Sequence, residues 1–143
     1  MRFLRNDNFI KFSLVAAMGV IFIVSGLNIK SAMHDINFKD KYMHILEYFV
    51  FGILLIRYFY IIKFRNDFKK AALITFLTGA VFAITDEIHQ GFVGFFDTGI
   101  FGGIRDASVY DWYADVAGIL LALIIYKLII KICRKSLCLN RTT

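Results

Sequence analysis

Four long apolar runs constrain the fold of this chain more than any other feature. Each is close to the roughly 17–25 residues that a helix needs to cross a bilayer. We predict spanning helices over residues 9–27, 42–62, 71–89 and 110–132. The chain is 59% hydrophobic and contains no proline, whereas soluble domains are about 45–50% apolar. The sequence therefore predicts an all-α polytopic membrane protein, a four-transmembrane-helix bundle formed by one domain over residues 1–143.

Charge is distributed unevenly between the two sides of this predicted bundle. The net charge is +6, and the basic residues collect in the N-terminal segment, the link between spans two and three, and the C-terminal tail. Most acidic residues lie in the other two links and in the helix ends beside them. The positive-inside rule then places both termini in the cytoplasm and the acidic side outside. We interpret the basic side as a topology signal that also contacts membrane lipids, and not as a nucleic-acid-binding surface.

The densest polar cluster follows a run, residues 71–84, that carries no charge. Its members are Thr85, Asp86, Glu87, His89 and Gln90. Ionisable groups inside a membrane are costly, about 2.5–3.5 kcal/mol each at a helix centre, so they usually mark a site. Helical spacing places Asp86, His89 and Gln90 on one face, and Thr85 joins them through His89. The spacing Asp86-x-x-His89 resembles the Glu-x-x-His spacing of metal-binding bundles.

Two other spans carry polar residues to the same level. The start of span two contributes Asp40, Lys41, His44, Glu47 and Tyr48, and the region around the start of span four contributes Arg105, Ser108, Asp111 and Asp115. Asp115 lies more than a turn inside its helix, too deep for a capping role. Ala114, Gly118 and Ala122 form a small-residue groove for close helix packing on span four. Span one is nearly all apolar, and we predict that it offers no chemistry.

Three ordered blocks of the chain resemble the VanZ-like family. They are Asp40-Lys41-x-x-His44-x-x-x-Tyr48-x-x-x-Gly52, Thr85-Asp86-Glu87-x-His89-Gln90-x-Phe92, and Arg105-x-Ala107-Ser108-x-x-Asp111-Trp112-x-x-Asp115-x-x-Gly118. The namesake of the family is associated with low-level teicoplanin resistance in Gram-positive bacteria. The resemblance implies a multi-pass protein of a bacterial cytoplasmic (plasma) membrane with a site at these polar positions.

The chain departs from the family pattern between its second and third blocks. Family members commonly run from the His-Gln pair through Phe-x-Pro-Gly to the arginine, whereas this chain has no proline and a Gly/Phe-rich stretch over residues 91–104. Two roles for that stretch stay open, an anchor in the headgroup zone and a lid over the site. The departure affects the mouth of the pocket, and therefore the ligand, more than the fold.

The clustered carboxylates cannot all stay ionised side by side near lipid, because like charges repel. They must share protons, pair with a basic residue, or hold a cation. An Arg105–carboxylate pair is our first expectation, since Arg105 is the only basic residue near the outer end of span four and guanidinium binds carboxylates well. A divalent metal ion held by Asp86, His89 and Asp115 is the alternative; such oxygen-rich ligation suits magnesium, calcium or manganese better than zinc.

Three functions are consistent with this pattern. The first is binding of an envelope glycolipid, or of a glycopeptide or lipopeptide antibiotic, that contributes to antibiotic resistance or envelope homeostasis. The second is an enzyme for a lipid-linked substrate, with His89 or His44 as general acid/base and Asp86 or Glu87 as partner, or with metal assistance. The third is an ion-coupled permease with Asp115 and Glu47 as relays. The sequence leaves open whether the chain catalyses a reaction, and its oligomeric state.

The predicted orientation is tested by cysteine accessibility. In a background with Cys133 and Cys138 changed to serine, Asn28→Cys and Asp97→Cys should react with an impermeant thiol reagent in intact cells. Asn66→Cys, in the basic link, should react only after permeabilisation, because the positive-inside rule keeps that link in the cytoplasm. Labelling of Asn66→Cys in intact cells, with the other two silent, would invert the orientation.

Overall fold

The computed structural model describes residues 6–26, 37–96 and 108–139, of which residues 26, 37–40, 93–96 and 136–139 are described by their backbone alone. The helices in these ranges are α1 (Asp7–Gly26), α2 (Asn37–Tyr58), α3 (Phe68–Phe96) and α4 (Val109–Leu139), and no strand occurs among them. All four helices are long and apolar enough to cross a membrane. The predicted all-α, four-span architecture is confirmed; the orientation of the termini stays a prediction.

Several helix ends differ from the sequence prediction: α2 begins at Asn37, α4 ends at Leu139, and the ends of α3 and α2 show the largest change in local structure. Helix α3 continues through Phe96, so the first part of the Gly/Phe-rich stretch is helical. Helix α2 runs into a π-helical turn, Phe59–Lys63, which no hydrophobic pattern indicated. The chain then reverses through Arg65 and Asn66, which both have positive φ, and the Asp67 carboxylate accepts a hydrogen bond from the Lys70 amide to begin α3. Local backbone hydrogen bonding, which apolar periodicity does not report, sets these ends.

Helices α2 and α4 approach each other closely at glycines. A Cβ atom at Gly118 would overlap the carbonyl oxygen of Ile45 and lie 2.9 Å from the amide nitrogen of Phe49. From the α2 side, a Cβ at Gly52 would lie 2.8 Å from the Cβ of Ala122. The predicted small-residue groove is therefore the surface on which α2 packs. Such close backbone approach is the usual basis of helix association in membranes, because the hydrophobic effect does not drive apolar helices together in lipid.

The helices alternate in direction, so chemically different groups gather at the two ends of the bundle. One end, which we call the polar end, joins the last turns of α1 and α3 to the first turns of α2 and α4, as the Ser25–Asp86 and His44–Asp115 contacts show. The opposite end contains the apolar cluster of Ile56, Tyr60 and Ala71. Exposed lysines and arginines surround that cluster: Lys63, Arg65, Lys69, Lys70, Lys127 and Lys131. The polar end is the one that the charge pattern predicts to face outward.

Substitution of Gly118 should destabilise the bundle. In Gly118→Ala the new methyl group has only backbone atoms to displace, so α2 and α4 must separate at a cost of about 1–3 kcal/mol. The control is Gly19→Ala, because a Cβ at Gly19 meets nothing within 4 Å. Thermal unfolding in detergent should show a lower Tm for Gly118→Ala and little change for Gly19→Ala. Equal Tm values for the two variants would contradict the close α2–α4 contact.

Candidate functional site

Asp86 lies at the centre of the polar end and is held from two sides. The Ser25 hydroxyl of α1 donates a hydrogen bond of 2.6 Å to Asp86 Oδ1, and the Gln90 amide donates one of 3.2 Å to Oδ2. All three side chains are buried. Span one, predicted to offer no chemistry, therefore contributes the Ser25 hydroxyl to the polar end. The available signal was a serine in the last turn of an apolar span, at the level of the other polar residues.

His44 and Asp115 form a buried pair between α2 and α4. His44 Nδ1 lies 2.9 Å from Asp115 Oδ1, and both side chains are almost fully enclosed. An ionised carboxylate can only accept, so the shared proton then lies on Nδ1 and fixes the orientation of the imidazole. The pair sits about one turn from Gly118, whose small size lets the two helices come this close. Packing and polar contact are thus coupled at this point.

Glu87 is oriented by the segment that begins α4. Its Oε2 accepts a hydrogen bond of 2.8 Å from the backbone amide of Ser108, which precedes the first residue of the helix. The carboxylate thereby satisfies a helix N-terminal amide that has no partner within its own helix. This contact positions Glu87 between α3 and α4. Ser108 therefore joins the site through its backbone.

Several buried acceptors at the polar end have no hydrogen-bond partner among the described residues. They are Glu87 Oε1, Gln90 Oε1 and Asp115 Oδ2. An unsatisfied buried polar atom costs about 1–3 kcal/mol. In each of these side chains the other polar atom makes a hydrogen bond. The side chains are therefore fixed in place while one oxygen of each stays available to a ligand.

Other predicted site residues do not join this network. Thr85 is exposed, and its hydroxyl donates to the Phe82 carbonyl within its own helix. Lys41 is also exposed and lies over the ring of Tyr110, 4.8 Å from its centroid. The His89 ring packs against Phe22 with ring centroids 4.8 Å apart. Helical spacing alone could not separate these positions from the buried ones.

The remaining predicted site residues differ in burial, and two of them lie partly or wholly outside the described residues. Tyr48 and Asp111 are buried, and Glu47 is half-buried. The side chain of Asp40 and the whole of Arg105 lie outside the described residues, and so does the predicted Arg105–carboxylate pair.

Three of these residues from three helices could hold a metal ion. One ligand atom from each of His44, Glu87 and Asp115 lies within 4.8 Å of the others. The set expected from the sequence, Asp86, His89 and Asp115, shares only Asp115 with this group. The side chains of Asp86 and His89 are directed instead to Ser25 and Phe22 of α1.

An apolar groove of about 340 Å³ leads from the side of the bundle to Glu87. Its lining comes from α3 and from the start of α4: Ile84, Glu87, Ile88, Ser108, Val109 and Trp112. Ile84, Ile88 and Val109 are exposed apolar residues on spanning helices, which places the groove against lipid. The Trp112 ring is held by a 3.3 Å hydrogen bond from its Nε1 to the Ala80 carbonyl.

Comparison with known proteins agrees with this architecture. The family model described as VanZ/LLP1 matches residues 6–131, nearly the whole chain. No curated protein and no solved structure matches it. The match spans the three motif blocks, helices α1 to α3, and α4 as far as residue 131.

Loss of the Ser25 hydroxyl should destabilise the polar end. Ser25→Ala leaves a buried oxygen of Asp86 without its donor, and hydrogen bonds to charged groups contribute about 1.5–3 kcal/mol. Ser13→Ala is the matched control, because Ser13 is in the same helix but donates only to the Phe9 carbonyl of that helix. Thermal unfolding should show a lower Tm for Ser25→Ala alone. A similar Tm for both variants would argue against the link between α1 and Asp86.

Proposed function

As this chain belongs to the VanZ/LLP1 family, we propose that it binds an amphipathic envelope molecule from the surrounding lipid. The headgroup occupies the polar end and the acyl or isoprenoid chain lies in the groove between α3 and α4. The ligand is an envelope glycolipid or a glycopeptide or lipopeptide antibiotic. In a bacterial cytoplasmic membrane, with the polar end outward, such binding lowers antibiotic action or helps to maintain the envelope.

The observation that carries this proposal is the position of Glu87. Its carboxylate lines the apolar groove and also lies within 4.8 Å of the His44 and Asp115 ligand atoms. Pockets for amphipathic ligands combine apolar walls with a few convergent polar groups. A molecule seated in the groove would therefore place its polar head beside the unpartnered oxygens of the polar end. A water-soluble ligand would have no use for the lipid-facing wall.

The chemistry of the polar end favours headgroups that donate hydrogen bonds. The unpartnered carboxylate and amide atoms, Glu87 Oε1, Gln90 Oε1 and Asp115 Oδ2, are all oxygen acceptors, and the buried Tyr48 hydroxyl can accept as well as donate. Sugar hydroxyls, amides and ammonium groups supply matching donors. The buried carboxylates would repel a bare phosphate unless a cation lay between them. Glycans and amino-sugar-bearing glycopeptides therefore fit this end better than simple phospholipids do.

A second candidate is an enzyme for a lipid-linked substrate, and the His44–Asp115 pair favours it. A buried carboxylate that orients an imidazole is the usual arrangement of a general acid/base. His44 Nδ1 and Asp115 Oδ1 lie 2.9 Å apart in the protein interior. Glu87 adds a further carboxylate next to the groove. The two candidates differ in one outcome, since only the enzyme releases a changed product.

Filling the groove should weaken binding. Trp112 is the only tryptophan of the chain and lines the groove, so its fluorescence reports an occupant directly. In titrations of protein in nanodiscs with an isoprenoid-linked disaccharide or with teicoplanin, the parent should show saturable change. Val109→Phe places a larger side chain in the groove and should weaken binding at least tenfold. Val20→Phe, a lipid-facing change on α1, should bind like the parent.

The same variants decide between the candidates in cells and in solution. Val109→Phe should lose any teicoplanin protection that the parent confers, at equal membrane abundance, while Val20→Phe retains it. Product formation from the lipid-linked disaccharide, followed by mass spectrometry, would replace binding with catalysis as the function. Absence of any saturable fluorescence change in the parent would refute the proposed ligand class.

A further inference from the structure

The group formed by His44, Glu87 and Asp115 joins three helices at one point inside the polar end. His44 lies on α2, Glu87 on α3 and Asp115 on α4. Their exposed fractions are 3%, 7% and 0%, and their potential ligand atoms lie within 4.8 Å of one another. Sites in helix bundles are commonly built in this way, from inward side chains on facing helices.

Each carboxylate of the group is anchored by one oxygen and leaves the other without a partner. Asp115 Oδ1 bonds to His44 and Glu87 Oε2 accepts from the Ser108 amide. Asp115 Oδ2 and Glu87 Oε1 are buried and have no hydrogen-bond partner among the described residues. Buried charges are normally paired or coordinate a metal. Both carboxylates are therefore oriented by one oxygen, while the other oxygen is available to coordinate an ion.

The charge around the group also favours a cation. Four carboxylates, Asp86, Glu87, Asp111 and Asp115, are buried at the polar end, and His44 is the buried ionisable base beside them. No lysine or arginine is among the buried residues of the described ranges. Repulsion between carboxylates grows steeply where water is excluded. A divalent ion would offset two of these charges at the place where they converge.

We propose that His44, Glu87 and Asp115 bind a divalent metal ion of the kind that accepts mixed nitrogen and oxygen ligands, Zn²⁺ or Mn²⁺. The imidazole favours these ions, whereas Ca²⁺ and Mg²⁺ prefer oxygen ligands alone. At metal–ligand distances of about 2.1 Å, two ligands of a tetrahedral ion are roughly 3.4 Å apart. The separations of 2.9 Å between His44 Nδ1 and Asp115 Oδ1 and of at most 4.8 Å within the group are of this order, and binding of an ion through Nδ1 would release the proton that His44 shares with Asp115.

Three protein ligands leave a position for water or for a ligand group, as in catalytic zinc sites. Since Glu87 also lines the groove, that position would be open to a molecule in the groove. The ion is inferred from the residues alone and does not depend on the lipid ligand proposed above.

The test measures metal in the purified full-length protein with no lipid ligand added. After removal of metal with EDTA, calorimetric titration with Zn²⁺ or Mn²⁺ should give one ion per chain with a Kd in the micromolar range or tighter. Bound ion should raise Tm, because it binds only the folded state, and Mg²⁺ should bind at least 100-fold more weakly. Pulsed electron paramagnetic resonance of the Mn²⁺ form should show coupling to one imidazole nitrogen.

Variants identify the ligands. Glu87→Gln should weaken binding at least 100-fold, and His44→Gln should remove the nitrogen coupling. Asp86→Asn and His89→Gln are the controls, because each removes a carboxylate charge or an imidazole at the polar end from a residue outside the group, and both should keep the ion and the coupling. Folding of each variant is checked by circular dichroism and size-exclusion chromatography. If Glu87→Gln does not fold, loss or retention of the nitrogen coupling in His44→Gln decides whether the group binds the ion.

Two results would overturn the proposal. One is a parent protein that binds neither Zn²⁺ nor Mn²⁺ below millimolar concentration. The other is loss of the ion in Asp86→Asn and His89→Gln while His44→Gln keeps the nitrogen coupling, which would move the site towards α1. Failure of lipid binding with the ion present would contradict only the function proposed above.

Discussion

Three buried carboxylates of the polar end each have a hydrogen-bond partner in another part of the chain. These contacts hold the helices in register. Asp86 of α3 accepts from Ser25 of α1, and Asp115 of α4 pairs with His44 of α2. Glu87 of α3 accepts from the amide that precedes α4. Apolar side chains cannot specify a register so strictly, because lipid contacts them as well as a neighbouring helix does.

The close approach of α2 and α4 depends on glycine as much as on this polar contact. Gly118 lets the α4 backbone lie against Ile45 and Phe49, within about a turn of the His44–Asp115 pair. With larger residues at this position the two helices would separate, and a 2.9 Å contact could not form. The small residues and the ionisable residues on this face of α4 therefore serve one interface.

The sequence predicts the helices and the level of the site well, and the detailed contacts less well. Long apolar runs identify four spans because length and composition are sufficient for that purpose. The buried positions of Asp86, Asp115 and Gln90 follow from helical spacing, yet the same spacing also includes Thr85, which is exposed. Spacing locates a residue on its own helix but does not reveal which helix faces it.

For this reason helical spacing does not predict the partners of each polar residue. Ser25 looked like part of an apolar span, and its role emerges only when α1 is placed beside α3. The metal-capable group draws one residue from each of three helices, so no local motif contains it. The Asp86-x-x-His89 spacing is a local motif, but its two side chains contact different residues of α1.

The polar end contains more ionisable groups than cohesion of the bundle requires. Replacing a buried ion pair by well-packed apolar residues is often neutral or stabilising, and in a membrane an apolar interface carries no desolvation penalty. This chain keeps four buried carboxylates at one end and leaves two of their oxygens, together with the Gln90 carbonyl oxygen, without partners among the described residues. At the opposite end the helices pack through apolar side chains and through aromatic contacts such as that between the rings of Tyr60 and Tyr126. Two ends with the same packing task thus use different chemistry, and the ligand proposed for the polar end would account for that difference.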